Sequence, residues 1–187
     1  MEKITIDDSI KKKKLPPWAI VFAFAVLLGF LALLGWGLKN AQQGPVQIGQ
    51  TVPTFELLTF NGEKYHTENL RGQVIVLNFW ASWCKPCEQE AADLEKAWQY
   101  YQDSGEVVFL GVDYVDTETE ALGYLNKFNI SYPNGPDLRT VISQIFRISG
   151  VPETYIIDKT GKLAARKIGP FISINEITNM IDPLLSQ

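Results

Sequence analysis

The chain has 187 residues, 46% of them hydrophobic and 20% charged, with 17 Lys and Arg against 21 Asp and Glu, one His and two Cys. That length holds one ordinary domain and a modest extension, and two cysteines exclude a disulfide-rich scaffold or a four-cysteine zinc site. A net charge of −4 provides no basic field for phosphates, so no nucleic acid partner is expected.

The charge is unevenly placed. Residues 1–17 form a basic tail, with five lysines against Glu2, Asp7 and Asp8, whereas residues 40–187 carry eleven basic and eighteen acidic side chains. Between them, Trp18 to Leu38 is a 21-residue run without a charge. As a helix rising about 1.5 Å per residue it spans roughly the 30 Å of a bilayer's hydrocarbon. Trp18 and Trp36 stand near its ends, at headgroup level. A signal peptide's apolar region is shorter, about 7–15 residues, so residues 18–38 read as an uncleaved transmembrane anchor. Lys11, Lys12, Lys13 and Lys14 precede the span and Lys39 alone follows it. The positive-inside bias then predicts a single-pass protein of the cell membrane with a cytoplasmic N-terminus and an extracytoplasmic remainder, on the bacterial outer side or in the periplasm. That compartment permits disulfides.

Residues 39–53 read as a polar linker and 54–187 as the outer domain. Asn61-Gly62 between short apolar runs signals a hairpin. Val74–Trp80 suits a buried central strand. After Cys84, the spacing of Cys87, Ala91, Leu94, Trp98 and Tyr101 predicts a helix ending near Ser104-Gly105. Glu106–Asp113 is a second buried strand, and Thr117 with Glu120 forms a capping box for a helix whose inner face is Ala121, Leu122, Leu125 and Phe128. Ile130–Tyr132 is expected as a short strand before a Pro133–Pro136 turn, with Asp137 capping a short helix through Phe146. Glu153–Asp158 and Lys162–Ile168 read as strands joined by a tight turn, and Ser173 with Glu176 as a capping box for a final helix. The order predicts an α/β domain with a mixed central sheet and helices on both faces.

Trp80-Ala-Ser-Trp-Cys84-Lys-Pro-Cys87 places a Cys-x-x-Cys between a buried strand and a helix N-terminus. Unpaired N–H groups and the helix dipole there favour a thiolate at Cys84, the form needed for disulfide exchange. Cys87, one turn inside, is placed to resolve a mixed disulfide. A purely structural bridge over two intervening residues restrains little of the unfolded chain. A zinc site lacks ligands, the sole histidine being His66. Trp80 and Trp83 read as packing and shielding groups.

The run VIVLNFWASWCKPC, the later GVPETYIID and the order of elements resemble the thioredoxin superfamily, most closely its membrane-anchored ResA, TlpA and CcmG-type thiol–disulfide oxidoreductases, over about residues 46–185. The resemblance implies a thioredoxin-like fold, Cys84 as the attacking and Cys87 as the resolving cysteine, and a cis bond at Val151-Pro152 that keeps a backbone edge open to an extended substrate. It also implies catalytic roles for Glu90 and Glu153 near the cysteine pair. Thioredoxins carry a buried Asp where this chain has Asn78, so proton handling is expected from Glu90. Lys85 is expected to lower a neighbouring thiol pKa and the two carboxylates to raise it. The family often has a helix-kinking proline where this chain has Ala92. No cofactor is expected beyond the redox-active cysteine pair. The implied partners are protein thiols and disulfides, apocytochrome c among them, and a membrane electron donor of the thiol–disulfide type. A copper-binding or delivery module and a thiol peroxidase are the competing readings. The first needs further soft or imidazole ligands, and the second a Pro-x-x-x-Thr-x-x-Cys run that fails at Ala81.

Overall fold

The computed structural model describes residues 16–41 and 44–186. Of the basic tail read at residues 1–17, residues 1–15 lie outside the described residues. The chain divides into two compact units, one ending at Gln43 and the other running from Gly44 to Gln187.

The first unit contains helix α1, Pro17–Ala41. Its stretch Pro17–Leu38, 22 residues, is long and apolar enough to cross a membrane. Its large apolar side chains are exposed, as a lipid-facing anchor requires and the core helix of a globular domain does not.

In the second unit β1 (Glu56–Leu58) and β2 (Lys64–His66) form the expected hairpin. The central sheet comprises β3 (Val74–Trp80), β4 (Val107–Asp113), β5 (Asn134–Pro136), β6 (Glu153–Ile157) and β7 (Leu163–Ile168), in the order β5-β4-β3-β6-β7. The β3–β4 and β4–β5 pairs are parallel and the β3–β6 and β6–β7 pairs antiparallel. Both β3 and β4 are buried along their whole length, because helices or loops cover both faces. On one face Val74, Val76, Phe109 and Ile156 pack against α2 (Lys85–Tyr101) and α5 (Ile174–Leu185). On the other, Ile75, Leu77, Phe79 and Tyr155 pack against Phe55 and Leu57 of the hairpin region and against α4 (Val141–Phe146). Helix α3 (Glu118–Lys127) carries the predicted capping box and brings Ala121 and Tyr124 onto Trp80 and the two cysteines.

Three expectations are corrected. The short strand is Asn134–Pro136, within the segment read as a turn, and not Ile130–Tyr132. It is clamped between Gly111–Asp113 of β4 on one side and the Phe60 N–H, which donates to the Asn134 carbonyl, on the other. A Cβ on Gly135 would lie 2.2 Å from the Leu58 carbonyl oxygen, so the glycine serves close backbone approach. Ser173 makes no side-chain capping bond to α5: the Glu176 N–H donates to the Ser173 carbonyl, and the Glu176 carboxylate is engaged by the Ile172 N–H and by Lys167. The folded domain also reaches back into residues read as linker. Val52 N–H donates to the Gly161 carbonyl, Thr51 bridges Lys162, and Val52 is buried.

Asp137 caps α4 from a distance: its carboxylate accepts from the backbone N–H groups of Ile142 and Ser143, at 2.8 and 2.7 Å. The turn of Leu138–Thr140 is interposed between them. Helix α2 is continuous over 17 residues through Ala92, and its following turn ends at Gly105, whose φ of 68° suits glycine.

Candidate active site

Strand β3 ends at Trp80, and the chain turns through Ala81-Ser82-Trp83 into Cys84, the N-cap of α2, with Pro86 in the first turn where its missing N–H costs nothing. Cys84 and Cys87 form a disulfide, their Cα atoms 5.3 Å apart. The Cys87 N–H points at the Cys84 sulfur, 3.1 Å away. One of the orphan donors of the helix start is therefore aimed at the atom that carries charge when the bond is reduced. Both cysteines are buried, within a cluster formed by Trp80, Ala81, Ala91, Ala121 and Tyr124.

Trp80 and Trp83 have different situations. Trp80 stacks on Tyr124, their centroids 4.5 Å apart, and its indole N–H donates to Asn134, so it packs as expected. Trp83 is 59% exposed and shields little; it stands as an apolar surface beside Cys84.

Glu90 lies one turn beyond Cys87 on the inner face of α2, 1% exposed. Its carboxylate accepts from the Asn78 side-chain amide at 2.8 Å and from the Phe171 backbone N–H at 2.9 Å. Asn78 donates its second amide hydrogen to the Thr154 hydroxyl at 2.9 Å. Strand β3 thus supplies the neutral partner and helix α2 the carboxyl group. Burial pushes the Glu90 pKa up to about 7, against the two hydrogen bonds and the charge of Lys167, which favour the anion. A buried carboxyl titrating at neutral pH one turn from a cysteine pair has the properties of a proton donor and acceptor.

Val151-Pro152 is cis, and Val151 packs on the cysteine cluster. Glu153 follows, 1% exposed, and alternation along β6 sends it to the face opposite Glu90, since Thr154 takes the Asn78 side. Its oxygens accept from the Ser149 N–H at 2.7 Å and the Tyr155 hydroxyl at 2.8 Å. The structure therefore brings Cys84, Cys87 and Glu90 to one face and holds Glu153 on the other. Lys85 is 80% exposed at its side chain and paired with Glu88 at 3.0 Å, which also binds Lys127 at 3.2 Å. Hydrogen bonds from the two lysines hold the Glu88 carboxyl below its usual range. His66 is paired with Glu56 on the hairpin, at 3.2 Å.

Sequence reasoning missed the support around this site. Ser82, at the start of the turn, gives its N–H and hydroxyl to Asp116, at 2.6 and 2.8 Å, and Asp113 lies buried beside Asp116. The signal was present in one place: Asp113 closes an otherwise apolar strand, where a charged residue is unexpected.

A redox-active cysteine pair at the N-terminus of the helix after the central strand of a thioredoxin-like fold defines a thiol–disulfide oxidoreductase. The chain belongs to the AhpC/TSA family, whose signature matches residues 48–166. Among curated relatives, it is 29% identical over 153 residues to the thiol-disulfide oxidoreductase ResA of Bacillus cereus (strain ZK / E33L), covering 80% of this chain and 88% of that one. It is also 29% identical over 159 residues to the thioredoxin-like protein YneN of Bacillus subtilis (strain 168), covering 83% and 91%. The thiol:disulfide interchange protein of Chlorobium tepidum TLS shares the fold, with a TM-score of 0.66 at 23% identity over 77% of this chain and 99% of that one.

Proposed function

We propose that this protein is a membrane-tethered reductant of protein disulfides outside the cytoplasm, with apocytochrome c as a substrate. The observation that carries the reading is the cysteine pair capping α2 with a neutral-pH carboxyl, Glu90, one turn away. The Cys84 thiolate attacks a sulfur of the partner's disulfide, and one partner sulfur leaves as a thiolate and takes up a proton. Cys87, losing its proton toward Glu90, then attacks the Cys84 sulfur and expels the second partner thiolate. Two electrons pass to the partner, and the Cys84–Cys87 disulfide returns to the dithiol at the expense of a membrane dithiol donor. Val151, beside the cysteine cluster and held by the cis bond to Pro152, offers its backbone to an extended substrate segment, and Glu153 anchors the turn that carries it through the Ser149 N–H.

The apolar helix supports the tether, and the four lysines before it support a cytoplasmic N-terminus. The likeness to ResA, a thiol-disulfide oxidoreductase, supports disulfide exchange as the reaction. The test uses Cys87→Ser in the full-length protein, so that Cys84 retains its partner as a mixed disulfide in membranes. Capture of a cytochrome c precursor supports the proposal. Capture of folding oxidants alone, or rapid peroxide consumption by the reduced wild type, overturns it.

A further inference from the structure

The turn that presents Cys84 is stitched to the loop after β4. Asp116 takes both donors of Ser82, the Tyr114 N–H donates to the Trp80 carbonyl at 2.8 Å, and the Trp83 indole N–H reaches the Val115 carbonyl at 3.4 Å. Val115, in the middle of this loop, is β-branched yet adopts a φ of 56°, a conformation that persists only where its surroundings impose it.

Behind Asp116 lies Asp113, 2% exposed, with one carboxyl oxygen lacking any partner among the described residues and its carboxyl group in hydrogen-bond contact with that of Asp116. Two carboxylates in hydrogen-bond contact require a proton between them. Both Asp116 oxygens already accept hydrogens from Ser82, one from the N–H and one from the hydroxyl, and Asp113 is the more buried of the two, so the proton belongs on Asp113. Burial, then Asp116, pushes the Asp113 pKa up to about 8. The other charges acting on it are Asp137, just beyond β5, and Glu120 of α3, and both are also negative. The adjacent residue of β3 is Trp80, which does not titrate.

We infer that Asp113 and Asp116 form a proton-operated latch on the active-site turn: Asp116 is a positioning residue that holds Ser82, and through it Cys84, only while Asp113 carries the shared proton. Loss of that proton leaves two adjacent negative charges in a buried site. Asp116, only half-buried, relieves the repulsion by moving toward water, which releases both Ser82 bonds and frees Val115 from its imposed conformation. The turn then loosens on the alkaline side of neutrality, independently of Glu90. This inference rests on Cys84 and Cys87 being the exchanging pair.

The test is made on the oxidised full-length chain in detergent micelles, where neither cysteine titrates. The NMR signals of the Ser82 amide and the Trp83 indole N–H, followed from pH 6 to 10, are expected to move together with one inflection near 8. In Asp113→Asn, whose side-chain amide still donates to Asp116 but has no proton to lose, both signals stay flat; in Glu90→Gln the inflection remains. An absent inflection in the wild type, or one that survives in Asp113→Asn, overturns the latch. Reduction of the disulfide by a phosphine gives the functional readout. The ratio of variant to wild-type rate is expected near unity at pH 6 and to differ several-fold from it at pH 9, and a ratio constant across pH also overturns the latch. The amide titration does not depend on cysteine chemistry, so its failure counts against the latch alone. A titrating turn in a protein whose Cys87→Ser variant traps no partner counts against the exchange reading.

Discussion

Asn78 and Glu90, on the central strand and the helix that follows it, are joined by a 2.8 Å hydrogen bond from amide to carboxylate. The strand position offers two donors and no charge, and the helix residue brings the carboxyl group. Thr154 and the Phe171 N–H complete a polar network inside an otherwise apolar layer. Such a network is costly unless each member is paired, and here the pairing leaves Glu90 a titratable group at neutral pH.

Glu90 makes stability fall as pH rises. Its pKa stands near 7 in the folded protein and near 4.5 unperturbed, so the folded state holds the proton more tightly. The stabilisation is full below pH 4.5 and is lost as pH climbs through 7, with an upper bound of about 3 kcal/mol. Glu90→Gln abolishes that slope. It costs little at pH 5, less than about 1 kcal/mol, because the protonated Glu90 carboxyl group likewise has one bare oxygen for the two donors. Denaturant midpoints of the oxidised protein at pH 5 and 8 measure both effects.

Asn78→Asp places a second carboxyl group against Glu90. Both ionise only at a price in a buried site, so the variant is near wild type at pH 4.5 and less stable by about 2–3 kcal/mol at pH 8. Titration of the side-chain carboxyl carbons by NMR is expected to show one of the pair moving above the wild-type Glu90 midpoint.

Gly135→Ala is expected to destabilise by about 2–3 kcal/mol, since the added methyl meets the Leu58 backbone and not a yielding side chain. Thermal unfolding followed by near-ultraviolet circular dichroism tests this. Gly123→Ala on α3, with open space around its Cβ, is the comparison and is expected to stabilise slightly.

Lys85 contributes little to thiolate stability, because Glu88 engages its charge in water. Lys85→Ala is expected to shift the pH midpoint of Cys84 alkylation by no more than about half a unit. Glu88→Gln, which leaves Lys85 unpaired, lowers that midpoint instead of raising it. Alkylation rates of the reduced protein between pH 5 and 9 give both numbers.

The class of fold and the reacting atoms were legible in the chain because they depend on local regularities. Seven unbroken apolar residues at Val74–Trp80 make a buried strand, a Cys-x-x-Cys after it falls on a helix N-terminus, and the 3.6-residue spacing of Cys87, Ala91 and Leu94 names the buried face on which Glu90 also lies. Capping showed both outcomes. Thr117 and Glu120 close on each other as their spacing implies, whereas Ser173 and Glu176 do not, and there Lys167 from β7 and the Ile172 N–H engage the carboxylate.

What tertiary structure alone decided are contacts between segments far apart in sequence. Pro133–Pro136 reads as a turn by composition, yet its middle becomes a strand because β4 and the hairpin region supply partners on both sides. Glu90 and Glu153 carry the same side chain near the same motif set, and strand alternation separates them to opposite faces of the sheet. Asp113 and Asp116 are ordinary acids in the sequence. Only burial beside one another, with Ser82 as the shared client, gives them a proton to share, because desolvation and charge repulsion act through space and leave no periodic mark on the chain.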